Sequence, residues 1–204
     1  KNFLGIKFRN MNKRFTIGKF PRTRLRRNRQ SPWCRNLISE TELSINDLIL
    51  PLFITEGKKI VENIRSLPSV KRYSIDTVVK KIEEVKNLNI PAVALFPYVE
   101  KKLKTFDGKE ALNKNNLICR TIREVKKNFP EIGLICDVAL DPYTTHGHDG
   151  ILKKNYIAND ETIEVLSQQA LIQAEAGADI IAPSDMMDGR IGVIRDRLDN
   201  EGFG

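Results

Sequence analysis

The residues best suited to chemistry lie in Gly133–Gly150, GLICDVALDPYTTHGHDG. An apolar run from Ile132 to Leu140 is broken by one carboxylate, Asp137. A run of that length and composition predicts a strand buried on both faces, as in a parallel sheet. An acid in its second half needs a use or a partner, because an unpaired buried carboxylate costs several kcal/mol or gives up its charge. Asp141, Pro142, Tyr143, Thr144, Thr145, His146, Gly147, His148, Asp149 and Gly150 follow at once, a loop dense in oxygen and imidazole ligands. Singly, each has an ordinary explanation: Asp-Pro is common turn chemistry and a lone loop histidine is usually solvated. Together, Asp137, Asp141, His146, His148 and Asp149 form a candidate site. A second group, Ser184, Asp185 and Asp188, follows the apolar Ala178–Ala182. Ser184-Asp185 could equally cap the helix after it, and Met186-Met187 read as core filler.

The elements that must position these residues are legible from periodicity. Leu48–Thr55 (LILPLFIT) reads as a buried strand, with Pro51 pushing it towards an end or bulge position. Glu56–Val70 reads as loops or a small hairpin. Ser74 then caps a helix with Ile75, Val78, Val79, Ile82 and Val85 on its apolar face. Ile90–Phe96 is the second strand, and a lysine-rich loop leads to a helix over Ala111–Asn128. After the strand and loop already described, Asn159-Asp160-Glu161 opens a long helix whose buried stripe is Ile163, Leu166, Ala170, Leu171 and Ala174. Gly177 ends it. Ala178–Ala182 is the fourth strand, and Arg190–Asn200 the last helix. Four βα units in alternation predict a parallel sheet with helices outside it. The polar residues gather at strand C-terminal ends, and there is no GxGxxG or GxxxxGK[ST]. That is the pattern of a (β/α)₈ barrel rather than a dinucleotide-binding sheet. Four strands are half a barrel, so the chain reads as truncated.

Composition narrows the class further. The formal charge of +8 is unevenly placed: residues 1–39 hold twelve Lys/Arg and no acid. The other 22 of the 34 basic residues face all 26 acidic ones, a net of −4 for the body. Residues 1–36 therefore form a basic N-terminal arm and 37–204 a partial barrel. The arm, extended or disordered, is expected to wrap a partner rather than bind nucleic acid, since aromatics for stacking are few. No apolar stretch approaches the ~20 residues that cross a bilayer. Cys34, Cys119 and Cys136 suggest neither a disulfide framework nor a zinc site. A cytoplasmic protein is expected. Phe3, Leu4, Ile6 and Phe8 among basic residues faintly resemble an organelle presequence, which leaves organelle targeting open.

ICDVALDPYTTHGHDG at 135–150 and APSDMMDGRIGVIRDRLD at 182–199, with PLFITEG at 51–57 and RTRLRRN at 22–28, resemble the porphobilinogen synthase (5-aminolevulinate dehydratase) family. The resemblance runs from about Pro21 to Phe203. It implies a TIM barrel with an arm that wraps a neighbouring subunit, commonly in octamers. It also implies a lyase that condenses two 5-aminolevulinate molecules to porphobilinogen for haem and other tetrapyrroles. Asp137, Ser184 and Asp185 would line the substrate pocket. Where zinc-dependent members present three cysteines, this sequence has Ala139, Asp141 and Asp149. Carboxylates prefer hard cations, so Asp141 and Asp149 imply the aspartate-type branch, with stimulatory Mg²⁺ and no catalytic Zn²⁺.

The family's two Schiff-base lysines and its substrate-carboxylate arginines would lie beyond Gly204, so the chain alone is expected to be inactive. Two other readings stand beside this one. The first is a metal-dependent, aldolase-like barrel lyase with Asp137, His146 and His148 on one ion. The second is a non-catalytic truncated chain acting through its arm.

Overall fold

The computed structural model describes residues 18–154 and 156–204. Residues 1–17 of the expected arm lie outside them. The chain divides into two compact units, one up to Leu43 and one from Ser44, a boundary seven residues beyond the one expected. The described part of the first unit is not simply extended. It carries a 3₁₀ turn, Leu25–Arg29, and a short helix α1, Pro32–Leu37. Pro32 sits in the first turn, where its missing N–H costs nothing.

The second unit runs β1 (Ile49–Ile54), β2 (Val61–Asn63), β3 (Lys71–Tyr73), α2 (Ile75–Asn87), β4 (Ala92–Pro97), α3 (Leu117–Asn128), β5 (Gly133–Val138), β6 (Leu152–Lys153), β7 (Tyr156–Ile157), α4 (Asn159–Ala176), β8 (Ile180–Pro183) and α5 (Arg190–Asn200). The four expected strands lie side by side, β1-β4-β5-β8, all parallel. Spatial order follows chain order, with no reversal of the kind that makes a nucleotide-binding switch point. The expected hairpin is β2-β3, and β3 also extends the sheet parallel to β1. Pro51 is interior to β1 but lies before Phe53, where pairing with β3 begins. At Pro51 the strand is therefore paired to β4 alone.

One face of the sheet makes the core. Leu52, Ile54, Val93, Leu95, Leu134 and Cys136 pack against Val78, Ile82 and Val85 of α2 and Ile118, Ile122 and Val125 of α3. Val138 and Leu140 pack against Leu166, Ala170 and Ala174 of α4 and Ile194 and Leu198 of α5. Fully burying each such aliphatic side chain contributes about 1.5–3 kcal/mol. The expectation that β5 is buried on both faces is not met. Its residues alternate, with Leu134, Cys136 and Val138 buried and Gly133, Ile135 and Asp137 only half-buried. Helices cover one face only among the described residues, so Asp137 stands on the open side.

The α3 helix begins later than expected. Lys109–Leu112 is a 3₁₀ turn, and Asn116 caps α3 by accepting the Cys119 N–H at 2.9 Å. The Asn113–Asn116 run breaks the helix because its short amides bond backbone instead. Gly177 closes α4 in the left-handed conformation, φ 110°. No helix among the described residues is long and apolar enough to cross a membrane.

Candidate active site

Asp137 occupies the last row of the open face, level with Ala182 on β8. On the other side of that row the Phe53 and Phe96 rings stack 5.5 Å apart. Burial lifts the Asp137 carboxyl above its ordinary range; the neighbouring Ser184 side chain opposes this, and the charges of Asp141 and Asp185 add to it. Ser184 follows β8 directly, its own N–H donating to Val138 O at 3.3 Å. The parallel register thus brings together residues 47 positions apart in sequence.

Asp185 follows Ser184 and is buried. It is 2% exposed, its Oδ1 accepts the Met187 N–H at 2.7 Å, and its Oδ2 meets Arg190 Nε at 3.1 Å. The Arg190 contact is one of charges, outside hydrogen-bond angles. Asp185 therefore ties down the turn before α5, whose N-cap is Gly189 at φ 80°. It does not cap the helix.

Asp141 is exposed and Asp149 half-buried. Partial loss of water around its carboxyl raises Asp141, and the nearby Asp149 charge raises it further. Asp149 also lies 2.7 Å from His148 Nδ1, the same nitrogen that accepts the Gly150 N–H at 3.1 Å. Gly150 is required sterically: a Cβ there would sit 2.6 Å from Ile157 Cγ2 and 3.0 Å from Met187 Cε. This close approach packs the loop end against the β6-β7 hairpin.

The one-ion reading with Asp137, His146 and His148 is not supported. His146 Nδ1 accepts the His148 N–H at 3.1 Å, and its Nε2 bonds Phe106 O at 3.1 Å. Both nitrogens are spent on backbone, and the ring meets Phe106 edge-on. No group of three or more His, Cys, Asp and Glu converges on a metal position among the described residues.

Sequence reasoning missed two polar residues at this end of β5. Gln169 and Gln173 of α4 are each 1% exposed, and their amides donate to Ala139 O (3.3 Å) and Asp137 O (2.9 Å). Their spacing along the apolar stripe of α4, beside Ala170 and Ala174, was the available signal.

A mostly parallel sheet in which β1, β4, β5 and β8 lie in chain order, with helices on one face among the described residues, defines an α/β protein. The family model for delta-aminolevulinic acid dehydratase matches residues 22–204, and the chain belongs to that family. The delta-aminolevulinic acid dehydratase of Bradyrhizobium diazoefficiens is 53% identical over 180 residues, 88% of this chain and 51% of that protein. The one from Chlamydia pneumoniae is 49% identical over 180 residues, 88% of this chain and 54% of that protein. The crystal structure of the Toxoplasma gondii ME49 enzyme, in complex with the reaction product porphobilinogen, superposes with a TM-score of 0.85 at 40% identity. That match covers 89% of this chain and 52% of the other. The chain thus spans about half the length of the relatives it matches.

Proposed function

We infer that this chain contributes one wall of the active site of a porphobilinogen synthase, a lyase that condenses two 5-aminolevulinate molecules and releases water. The observation that carries this reading is Asp137 beside Ser184 on the open face, at the C-terminal end of a parallel sheet, in a chain of this family. Sequential strand order and one-sided helices favour a (β/α)₈ barrel closing over that face. Asp137, held above the ordinary carboxylate range, is suited to exchange a proton with the substrate amine. The Ser184 hydroxyl orients it, and Asp185 holds the turn that carries Ser184.

The described residues bind and move protons rather than attack carbonyls. No described lysine is buried, and Lys81, Lys102 and Lys153 are raised by carboxylate partners. An amine nucleophile needs the opposite shift.

Asp141 and Asp149 fit Mg²⁺, which takes one or two carboxylates and keeps several waters. Their mutual repulsion is what a dication relieves, whereas a closed zinc site needs soft ligands they do not provide. When bound, the ion would neutralise this pair and polarise oxygen ligands; it is stimulatory here, not catalytic. The basic arm, opposite in sign to the body, suits docking on a neighbouring subunit in a homo-oligomer, an octamer by family. Sedimentation of the protein lacking residues 1–30 tests this, and an unchanged size would contradict it. Three free thiols suit a reducing compartment such as the cytoplasm.

The complete protein, given 5-aminolevulinate, should form porphobilinogen, faster with Mg²⁺ and indifferent to a zinc-selective chelator. Failure to form product, or activity lost to that chelator and restored only by Zn²⁺, would overturn the reading.

A further inference from the structure

Gln169 and Gln173 occupy core positions where an apolar residue would cost less. Each is 1% exposed, and each leaves its Oε1 buried without a partner among the described residues. Buried polar atoms are nearly always paired, so two orphans on one helix face mark a constraint other than packing. The constraint is at the other end of each amide.

On β5 the even-numbered residues bond towards β8: Asp179 N–H donates to Leu134 O, and Ser184 N–H to Val138 O. The odd-numbered residues look to β4, as Gly133 N–H does to Pro91 O. The register with β4 ends at Leu95–Cys136. The carbonyls of Asp137 and Ala139 therefore project past the end of that ladder. Carbonyls can only be met by donors, which fixes the orientation of both amides: Nε2 forward, Oε1 behind. The spacing matches as well. Four residues on a helix rise ~6 Å, and two residues on a strand rise ~6.6 Å. Glutamines at i and i+4 on α4 thus read alternate carbonyls along β5.

We propose that Gln169 and Gln173 are positioning residues, whose amides replace the missing β4 partner and fix where the Asp137 carboxyl and the loop after it stand. This rests on Asp137 being a site group, as argued above. Neither glutamine touches substrate; both act through the backbone of the residues that do. Without Gln173 the Asp137 peptide is free to rotate, and its side chain loses registry with Ser184.

The test uses the complete enzyme with Gln173→Met, Gln169→Met and Gln173→Glu. Methionine keeps length and apolarity but donates nothing. Misplacing a reacting group by about 1 Å can cost 10²-fold, so Gln173→Met is expected to lower kcat about tenfold to hundredfold, with KM within about twofold. Hydrogen exchange should quicken in residues 137–145 and stay unchanged in α3. Glutamic acid can donate to the Asp137 carbonyl only when protonated. Gln173→Glu should therefore recover activity at low pH and lose it as pH rises, where the parent does not. A lower unfolding temperature with kcat, KM and pH profile unchanged would reduce both residues to packing and overturn the proposal. Unchanged exchange in 137–145 would overturn it too. If Gln173→Met fails to fold, the pH profile of Gln173→Glu decides. If the parent makes no porphobilinogen, the functional reading fails instead, and the exchange data still decide the anchor.

Discussion

Replacing Arg190 by methionine isolates what holds the turn after β8. The Asp185 side chain has no exposed surface, while Arg190 keeps 28% of its own. One Asp185 oxygen takes the Met187 N–H at 2.7 Å; among the described residues the other has only the Arg190 charge, at 3.1 Å. Arg190→Met leaves that oxygen a buried, uncompensated anion. Removing one partner of a buried pair costs about 3–5 kcal/mol. The surviving Met187 bond and the partial exposure of Arg190 place this case at the lower end, about 3 kcal/mol. The double variant Asp185→Asn, Arg190→Met buries no charge and should return to within about 1 kcal/mol of the parent. The deficit should also depend on pH. Burial raises the Asp185 carboxyl, and the Met187 N–H and Arg190 charge oppose that rise; without Arg190 the carboxyl rises further. A raised carboxyl holds its proton more tightly when folded, so the Arg190→Met deficit is full above the folded-state pKa. It shrinks as pH falls through that value towards the parent's own, also raised, folded-state pKa, below which the carboxyl is neutral in both. Urea denaturation of the complete protein at neutral and mildly acidic pH measures both effects. A deficit below about 1 kcal/mol, no change with pH, or a double variant as unstable as Arg190→Met would refute the reasoning.

Asp137→Asn should lower turnover about 10²–10⁴-fold while raising stability at neutral pH, because it removes a carboxylate that burial disfavours. That gain should fade as pH falls through the folded-state pKa of Asp137, where the parent carboxyl becomes neutral; a gain independent of pH would contradict it. Gly150→Ala forces a methyl against Ile157 and Met187 and should cost about 1–3 kcal/mol, part of it recovered by Ile157→Ala; an unchanged denaturation midpoint would show that the loop yields freely. Residues 1–204 expressed alone should form no porphobilinogen and trap no substrate with borohydride, since no described lysine is buried; an adduct on one of these lysines would contradict that.

The parts legible in the sequence are those with a sustained period. Ile75 to Val85 and Leu166 to Ala174 mark α2 and α4 because one stripe of each meets the sheet. The strand at β5 was legible, but not its one-sided burial: Gly133 and Ile135 are as apolar as Leu134 and Cys136, so composition cannot tell a covered face from an open one. The three-residue β3 carries Lys71, Arg72 and Tyr73 and has no period to read. Asp137 and Ser184 were singled out from residue type and place, and the pairing of β5 with β8 brings them to neighbouring strand ends. The burial of Asp185 beside Arg190 is a pairing that nothing in local spacing announces. His146 looked like a ligand until the backbone claimed both of its nitrogens. Gln169 and Gln173 were passed over because a hydrophobic stripe counts apolar residues and skips the polar ones among them.

A crystal structure of the complete protein with 5-aminolevulinate tests the central claim most directly. The account predicts substrate on the open face of the sheet, with polar atoms within about 2.6–3.2 Å of the Asp137 carboxyl and the Ser184 hydroxyl. Substrate bound elsewhere, with Asp137 and Ser184 contacting only protein and water, would contradict it.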